Sequence, residues 1–566
     1  MTSHERHSGS GWMISRRDML ASSLVWAAAG RAIAAERTLD VAYTNAKVWT
    51  GDVRRPFTKA VGIVGNRIAF VGHDAVRAAT GPRTRVVDLQ GAFVTPAFID
   101  NHTHFLIGSA TLSQPDLLSA ATRSDFAARL GAAAAARSGK WILGGSWDEQ
   151  RLGGVLPTRE WIDSATGDTP VAVPRTDLHM YLLNSAALKA AGITRTTPDV
   201  PGGVIERDSR GEPTGILKDN AKHLVERVFP IPTSEERQAT MRAGIAHALR
   251  NGFAQVHTPE PFDWDTFDTA RALRAKDETE LRFYCFAPLH DWEKLAAMIS
   301  REGKGDDWVR WGAVKALADG SLGSRTALFR APYTDAREQR GVRVTSLSDL
   351  KQWITGADKA GLQVATHAIG DLANDDILDL YAGVARANGR RDRRFRIEHA
   401  QHLVPSSIGR FATEKVIASV QPFHAIDDGR WAVQRIGQKR LNGTYAFHSL
   451  MASGATVTFG SDWPVGPLDA IEGIYAAVTR ETIDSKNPNG WVPSQKVSVT
   501  QALTAYTVNN AFAGFQDGKV GRISPGYLAD LTIVDSDLLA IPHERIKGTK
   551  VLRTIVDGRE RYNSGA

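Results

Sequence analysis

Through the middle of the chain, short apolar runs alternate with Ala- and Leu-rich stretches of helical period. Residues 361–367, 394–399 and 455–462 read as buried strands, and residues 348–359 and 468–479 as amphipathic helices. This alternation predicts parallel βα units. Both ends have a different pattern. Residues 41–48 and 60–71 are strand-like, with Gly65-Asn66 marking a hairpin turn, and residues 531–535 and 551–557 return to that style. The expected fold is therefore α/β, a (β/α)8 TIM barrel with a small β-sandwich domain formed from both termini. The sandwich would use residues 36–94 and 516–566, and the barrel residues 95–515. Residues 110–230 hold more chain than one βα unit needs, and residues 202–215 look like an inserted hairpin.

Length agrees with this reading. The chain has 566 residues, and such barrels take roughly 250 to more than 400 with insertions. The net charge of +7 arises from 69 basic and 62 acidic residues spread along the chain. No basic block or basic aromatic stripe suggests a nucleic-acid partner. Cys285 is the only cysteine, so no internal disulfide can form, and its apolar neighbours place it in a buried strand.

Residues 1–35 stand apart. Arg16-Arg17 precedes a weakly apolar run from Ala21 to Gly30 and small residues at 32–35. This resembles a twin-arginine signal peptide, with the export machinery as partner and the periplasm or exterior as destination. The run is too short and Ala-rich to be a permanent membrane anchor.

The polar candidates sit just past apolar runs, where the C-terminal mouth of a barrel would be. His102 and His104 form a His-x-His pair, and in an extended strand residues i and i+2 project to one side. His367 and His399 are 32 positions apart, and His399 and Asp462 are 63 apart. These gaps match one and two βα units of roughly 31 residues. They assign the three residues to strands five, six and eight, with residues 416–422 as strand seven. Counting back puts Lys315 on strand four. His179 and His257 fall near the ends of expected strands two and three.

Longer motifs then identify a resemblance. Residues 96–104 (PAFIDNHTH), Trp147-Asp148, Leu178-His179, Lys218-Asp219, residues 315–326, Glu398-His399, residues 460–464 and residues 525–530 resemble the amidohydrolase superfamily. The likeness is specific to its YtcJ-like branch, which includes N-substituted formamide deformylases, and covers nearly all of the chain after residue 35. It implies one or two divalent metals, with zinc expected. His102, His104 and Asp462 would hold one, His367 and His399 the other, and a carboxylated Lys315 would bridge them. Lys315 paired with Asp319 is the competing structural reading.

With such a metal, Asp462 would move the proton as water attacks an amide-type carbonyl of a small-molecule substrate. His179 would assist catalysis, and Trp147, Asp148, His257, Ser321, Ser324 and Arg325 would line the substrate pocket. Alternatives within the superfamily are a deaminase or a mononuclear site. A non-catalytic periplasmic scaffold or sensor is the alternative outside enzymes. A homodimer is compatible with all of these.

Overall fold

Eight largely buried runs join one parallel sheet in the computed structural model, which describes residues 38–137 and 140–565. The paired-arginine segment lies outside the described residues. The strands, in chain order, are β1 (Phe98–Asp100), β2 (Phe253–Thr258), β3 (Arg282–Pro288), β4 (Val309–Leu317), β5 (Gln363–Ala368), β6 (Arg396–His399), β7 (Ile417–Val420) and β8 (Val457–Phe459). Each pairs in parallel with the next. Between β8 and β1 the barrel is closed mainly by single hydrogen bonds. Asn101 N donates to Phe459 O at 3.3 Å. The Asn510 amide donates to Ile99 O at 2.5 Å and to Phe459 O at 2.8 Å, tying the two edge strands together.

Helices pack outside this sheet. Ser234–Arg250, before β2, starts with a capping box in which Thr233 and Glu236 satisfy each other's backbone N–H groups. Leu347–Lys359 is capped by Ser346, which accepts from Asp349 N. Gly361 (φ 80°) then makes the left-handed turn into β5. Cys285 is buried in β3.

Between β1 and β2 the chain builds a separate five-stranded sheet. Its order is Gly203–Arg207, Pro213–Asp219, Met180–Leu183, Val171–Pro174, Ile142–Leu143. This revises the expected strand count. His179 precedes a strand of this inserted sheet rather than ending barrel strand two, and His257 belongs to β2 rather than strand three. The apolar runs at 171–174 and 180–183 have a barrel strand's composition, but Val171–Pro174 and Met180–Leu183 pair antiparallel.

The terminal segments form two sheets. One joins Phe93–Pro96 and Lys47–Trp49 to Leu531–Val534, Val551–Val556 and Arg559–Asn563. The other contains Val41–Thr44, Val61–Val64, Arg67–Val71 and Arg85–Asp88. A shared apolar cluster including Tyr43, Val61, Ile63, Val94, Leu531 and Ile555 fills the space between them. Among the described residues no helix is long and apolar enough to cross a membrane.

Candidate metal centre

The ends of the barrel strands deliver imidazoles and carboxylates to one mouth. His102 and His104 follow β1, His399 ends β6, and Asp462 follows β8. One ligand atom each from His102, His399 and Asp462 fall within 4.8 Å of one another, and all three residues are buried. His104 Nε2 and His102 Nε2 lie 3.3 and 3.4 Å from Asp462 Oδ1. The His367 and His399 rings are 4.5 Å apart, and the His102 and His399 rings 5.0 Å. His399 and Asp462 both adopt left-handed backbone, φ 73° and 58°. Non-glycine residues hold that conformation against strain, which concentrates at functional sites.

Each imidazole is aimed by a partner. His102 donates through Nδ1 to Glu398 at 2.6 Å, His104 through Nδ1 to Glu260 at 2.9 Å, and His399 through Nδ1 to Gln421 at 2.9 Å. This leaves the Nε2 lone pairs of His102 and His399 facing the cluster. His367 instead donates through Nε2 to Gly320 O at 3.1 Å, so its lone pair is on Nδ1. Burial holds His367 and His399 well below the usual histidine range and lowers His102 to about 4. Neutral imidazoles are the form that binds metal.

Glu398 also accepts from Arg396 at 2.6 Å and from Ser419 at 2.5 Å. Burial opposes its ionisation, yet Arg396 and His102 hold its carboxyl well below the ordinary range. Lys315 is buried on β4, with Nζ 3.5 Å from His102 Nε2. Burial lowers its ammonium to about 8 despite the attraction of Glu398 and Asp462. Asp319 is not its counter-ion. That carboxylate accepts from the backbone N–H groups of Leu328, Ile369 and Gly370 at 2.7, 3.0 and 2.8 Å. It thereby ties the loop after β4 to the loop that follows His367, and burial pushes its carboxyl up to about 7.

The donor set fits a cation. Asp462 Oδ1 is fully buried and lacks a hydrogen-bond partner, although it faces two imidazoles. An unsatisfied carboxylate oxygen is costly unless something positive occupies its surroundings. The buried His102, His399 and Asp462 can therefore hold a metal ion.

A cavity of about 540 Å³ opens over this cluster, lined by His104, Lys315, His367, His399 and Asp462. His179 lines it from the inserted sheet, its ring 5.3 Å from that of His367. The antiparallel pairing of Met180 with Lys218 sets His179 beside Asp219, to which it donates at 2.6 Å. Of the expected pocket residues only Ser321 lines the cavity, with its hydroxyl donating to Asp177 at 2.5 Å.

The other five lie elsewhere. Ser324 supports the same Asp177 carboxylate from outside the lining. Trp147 is wholly buried in the inserted domain's core and donates its indole N–H to Val173 O at 2.9 Å. Asp148 is neutralised by Arg175 and Arg430. Arg325 pairs with Asp335 away from the cavity. His257 is fully buried inside the barrel, bonded to Gln255 and Arg396.

The sequence reading gave no role to Glu260, Gln421 and Asp219, which aim the imidazoles, or to Asp177. Glu398 was visible only as the neighbour of His399. His424 also places a buried Nε2 with no hydrogen-bond partner 3.8 Å from Asp462 Oδ2.

A parallel barrel with such a cluster at its C-terminal mouth defines a class, the metal-dependent hydrolases built on β/α barrels. The chain belongs to the amidohydrolase family, whose sequence profile matches residues 85–562. It is 39% identical to "Protein LONG AFTER FAR-RED 3" of Arabidopsis thaliana, over 92% of this chain and 91% of that one. It is 32% identical to the putative amidohydrolase YtcJ of Bacillus subtilis, over 85% and 91% of the two chains. The N-substituted formamide deformylase of Arthrobacter pascens is 28% identical over 92% and 98%. Among solved structures, an uncharacterized metal-dependent hydrolase from Pyrococcus horikoshii superposes with a TM-score of 0.73 at 27% identity, covering 89% of this chain and 99% of that one.

Proposed function

We propose that this protein hydrolyses carbon–nitrogen bonds other than peptide bonds, in a small amide or N-substituted formamide. The observation that carries this reading is the buried, unpartnered Asp462 carboxylate oxygen facing His102 and His104 beneath an open cavity. His102, His104 and Asp462 would hold one zinc ion and His367 with His399 a second, with Lys315 between them as a carboxylated bridge. A divalent ion there supplies Lewis acidity, polarising a carbonyl and acidifying water.

The chain's own groups do the remaining work. Asp462 takes the proton from the attacking water at a carboxylate oxygen and returns it to the departing nitrogen. His179, whose Nδ1–H goes to Asp219 and whose charged form that carboxylate favours, donates its Nε2–H to the carbonyl oxygen as negative charge develops there. Glu398, Glu260 and Gln421 hold the imidazoles in register. The similarity to the formamide deformylase supports the bond type. The paired-arginine segment at 1–35 supports export to the periplasm.

Metal analysis combined with a panel of amides, formamides and amidines tests this reading. Wild type should bind about two divalent ions and release an amine, with Asp462→Asn slower by about 10²–10⁴-fold. Ammonia release from an amidine with no amide turnover would make it a deaminase instead. Undiminished turnover in the variant would remove Asp462 from its role.

A further inference from the structure

The catalytic cavity does not end at the metal cluster. A second cavity of about 700 Å³ shares Asn220, Pro261, Phe262, Lys315, Leu317 and Val344 with it, so the two spaces meet at the Lys315 end of β4. Their outer walls differ. The first carries Ile107, Tyr181, Phe229, Ile231 and Phe262. Ile231 is 87% exposed, Phe262 48% and Ile107 45%, which leaves a cluster of large apolar side chains facing solvent at the mouth. Apolar surface gathered on a cavity rim is the signature of a ligand contact. The second cavity presents His223, His290, Arg343, Ser346 and Asp349 around Trp353. Phe262 stands on the border, with the His223 ring at 5.7 Å and Lys222 Nζ at 5.9 Å from its own.

We infer that the substrate has two arms, one on each side of the scissile C–N bond: an apolar arm against Ile107, Phe229 and Ile231, and a polar, hydrogen-bonding arm in the second cavity. The inference rests on the hydrolytic reading above and narrows it. A formamide carries only hydrogen on its carbonyl carbon and leaves one of the two cavities without an occupant. An amide substituted on both carbon and nitrogen fills both. Small-molecule sites gain affinity by enclosing most of the ligand, with a few polar groups fixing its orientation.

Two probes sharing an apolar arm separate these cases, N-hexylformamide and N-hexyl-4-hydroxybutanamide. Calorimetric titration of the metal-loaded protein should show the hydroxybutanamide binding about tenfold tighter, the gain of one to two net hydrogen bonds. Thr345→Trp narrows the second cavity and should erase that preference. His290→Trp, at a half-exposed position of the same wall, gives the same reading should the first variant fail to fold. The ratio of kcat/KM for the two compounds should fall in step. Equal affinities in wild type, binding of neither compound, or a preference that survives both substitutions would each overturn the two-armed substrate. Loss of turnover on both compounds with the affinity difference intact would instead count against hydrolysis and leave the two arms standing.

Discussion

His102 Nδ1 lies 2.6 Å from Glu398 Oε2, although 296 residues separate them in the chain. The contact joins β1 to β6 through the barrel interior and fixes which imidazole nitrogen faces the cluster. Removing such a partner typically costs 10–100-fold in metal affinity. Glu398→Gln should lose about that much, as read by competition with a chelator. An unchanged affinity would show that Glu398 serves only Arg396 and Ser419.

The Trp147 indole is a packing and hydrogen-bonding element. Trp147→Phe removes its bond to Val173 O and should lower stability by about 1 kcal/mol. KM for any substrate should stay within about twofold of wild type, since the ring lies outside both cavities. Denaturant unfolding and steady-state kinetics measure the two quantities, and a large shift in KM would return Trp147 to the pocket.

Barrel and sandwich are fastened by a buried ion cluster. Arg282 of β3 donates to Asp530 at 2.7 and 3.1 Å and to Asp557 at 3.0 Å, beside the C-terminal strands. Arg282→Met leaves Asp530 buried without its partner, which should cost about 3–5 kcal/mol. Replacing Asp530 by Asn in the same background should recover part of the loss, since no buried charge then remains at that position.

Asp177 gives the stability a defined acid dependence. Burial works to raise its carboxyl, but Arg175 at 2.9 Å, His179 and the Ser321 hydroxyl hold it at about 2. Its folded pKa thus lies below the unfolded value of about 3.9, so its contribution is complete above pH 4 and is lost as pH falls toward 2. The loss amounts to roughly 2 kcal/mol over that window. Unfolding free energy measured between pH 2 and 5 should fall less steeply in Asp177→Asn than in wild type. Identical slopes would contradict the assignment.

The fold was legible where spacing alone carries information. Parallel barrel strands recur at a near-constant interval, so His367, His399 and Asp462 could be placed from their separations, whereas His102 and His104 lie just past the end of β1 rather than within an extended strand. The inserted sheet was not legible in that way. Its apolar runs at 171–174 and 180–183 have the composition of barrel strands, and only their antiparallel partners show otherwise. His179 was therefore counted onto the barrel while still reaching the cavity. The supporting carboxylates escaped for a related reason. Glu260, Asp219 and Asp177 acquire meaning from the histidine, arginine or serine they touch, and apart from Asp177 with the nearby Arg175 those contacts are long-range or cross-strand. Trp147 and Asp148 sit in a motif of the family, yet the sequence does not reveal that one fills a core and the other neutralises arginines.

The central claim is that a divalent ion sits among His102, His104 and Asp462. Anomalous diffraction at the zinc edge from crystals of the zinc-loaded protein tests it directly. The account predicts a peak about 2.0–2.2 Å from Nε2 of His102, Nε2 of His104 and an Asp462 carboxylate oxygen. Zinc bound only at other residues, with no peak within coordination reach of these three, would contradict it.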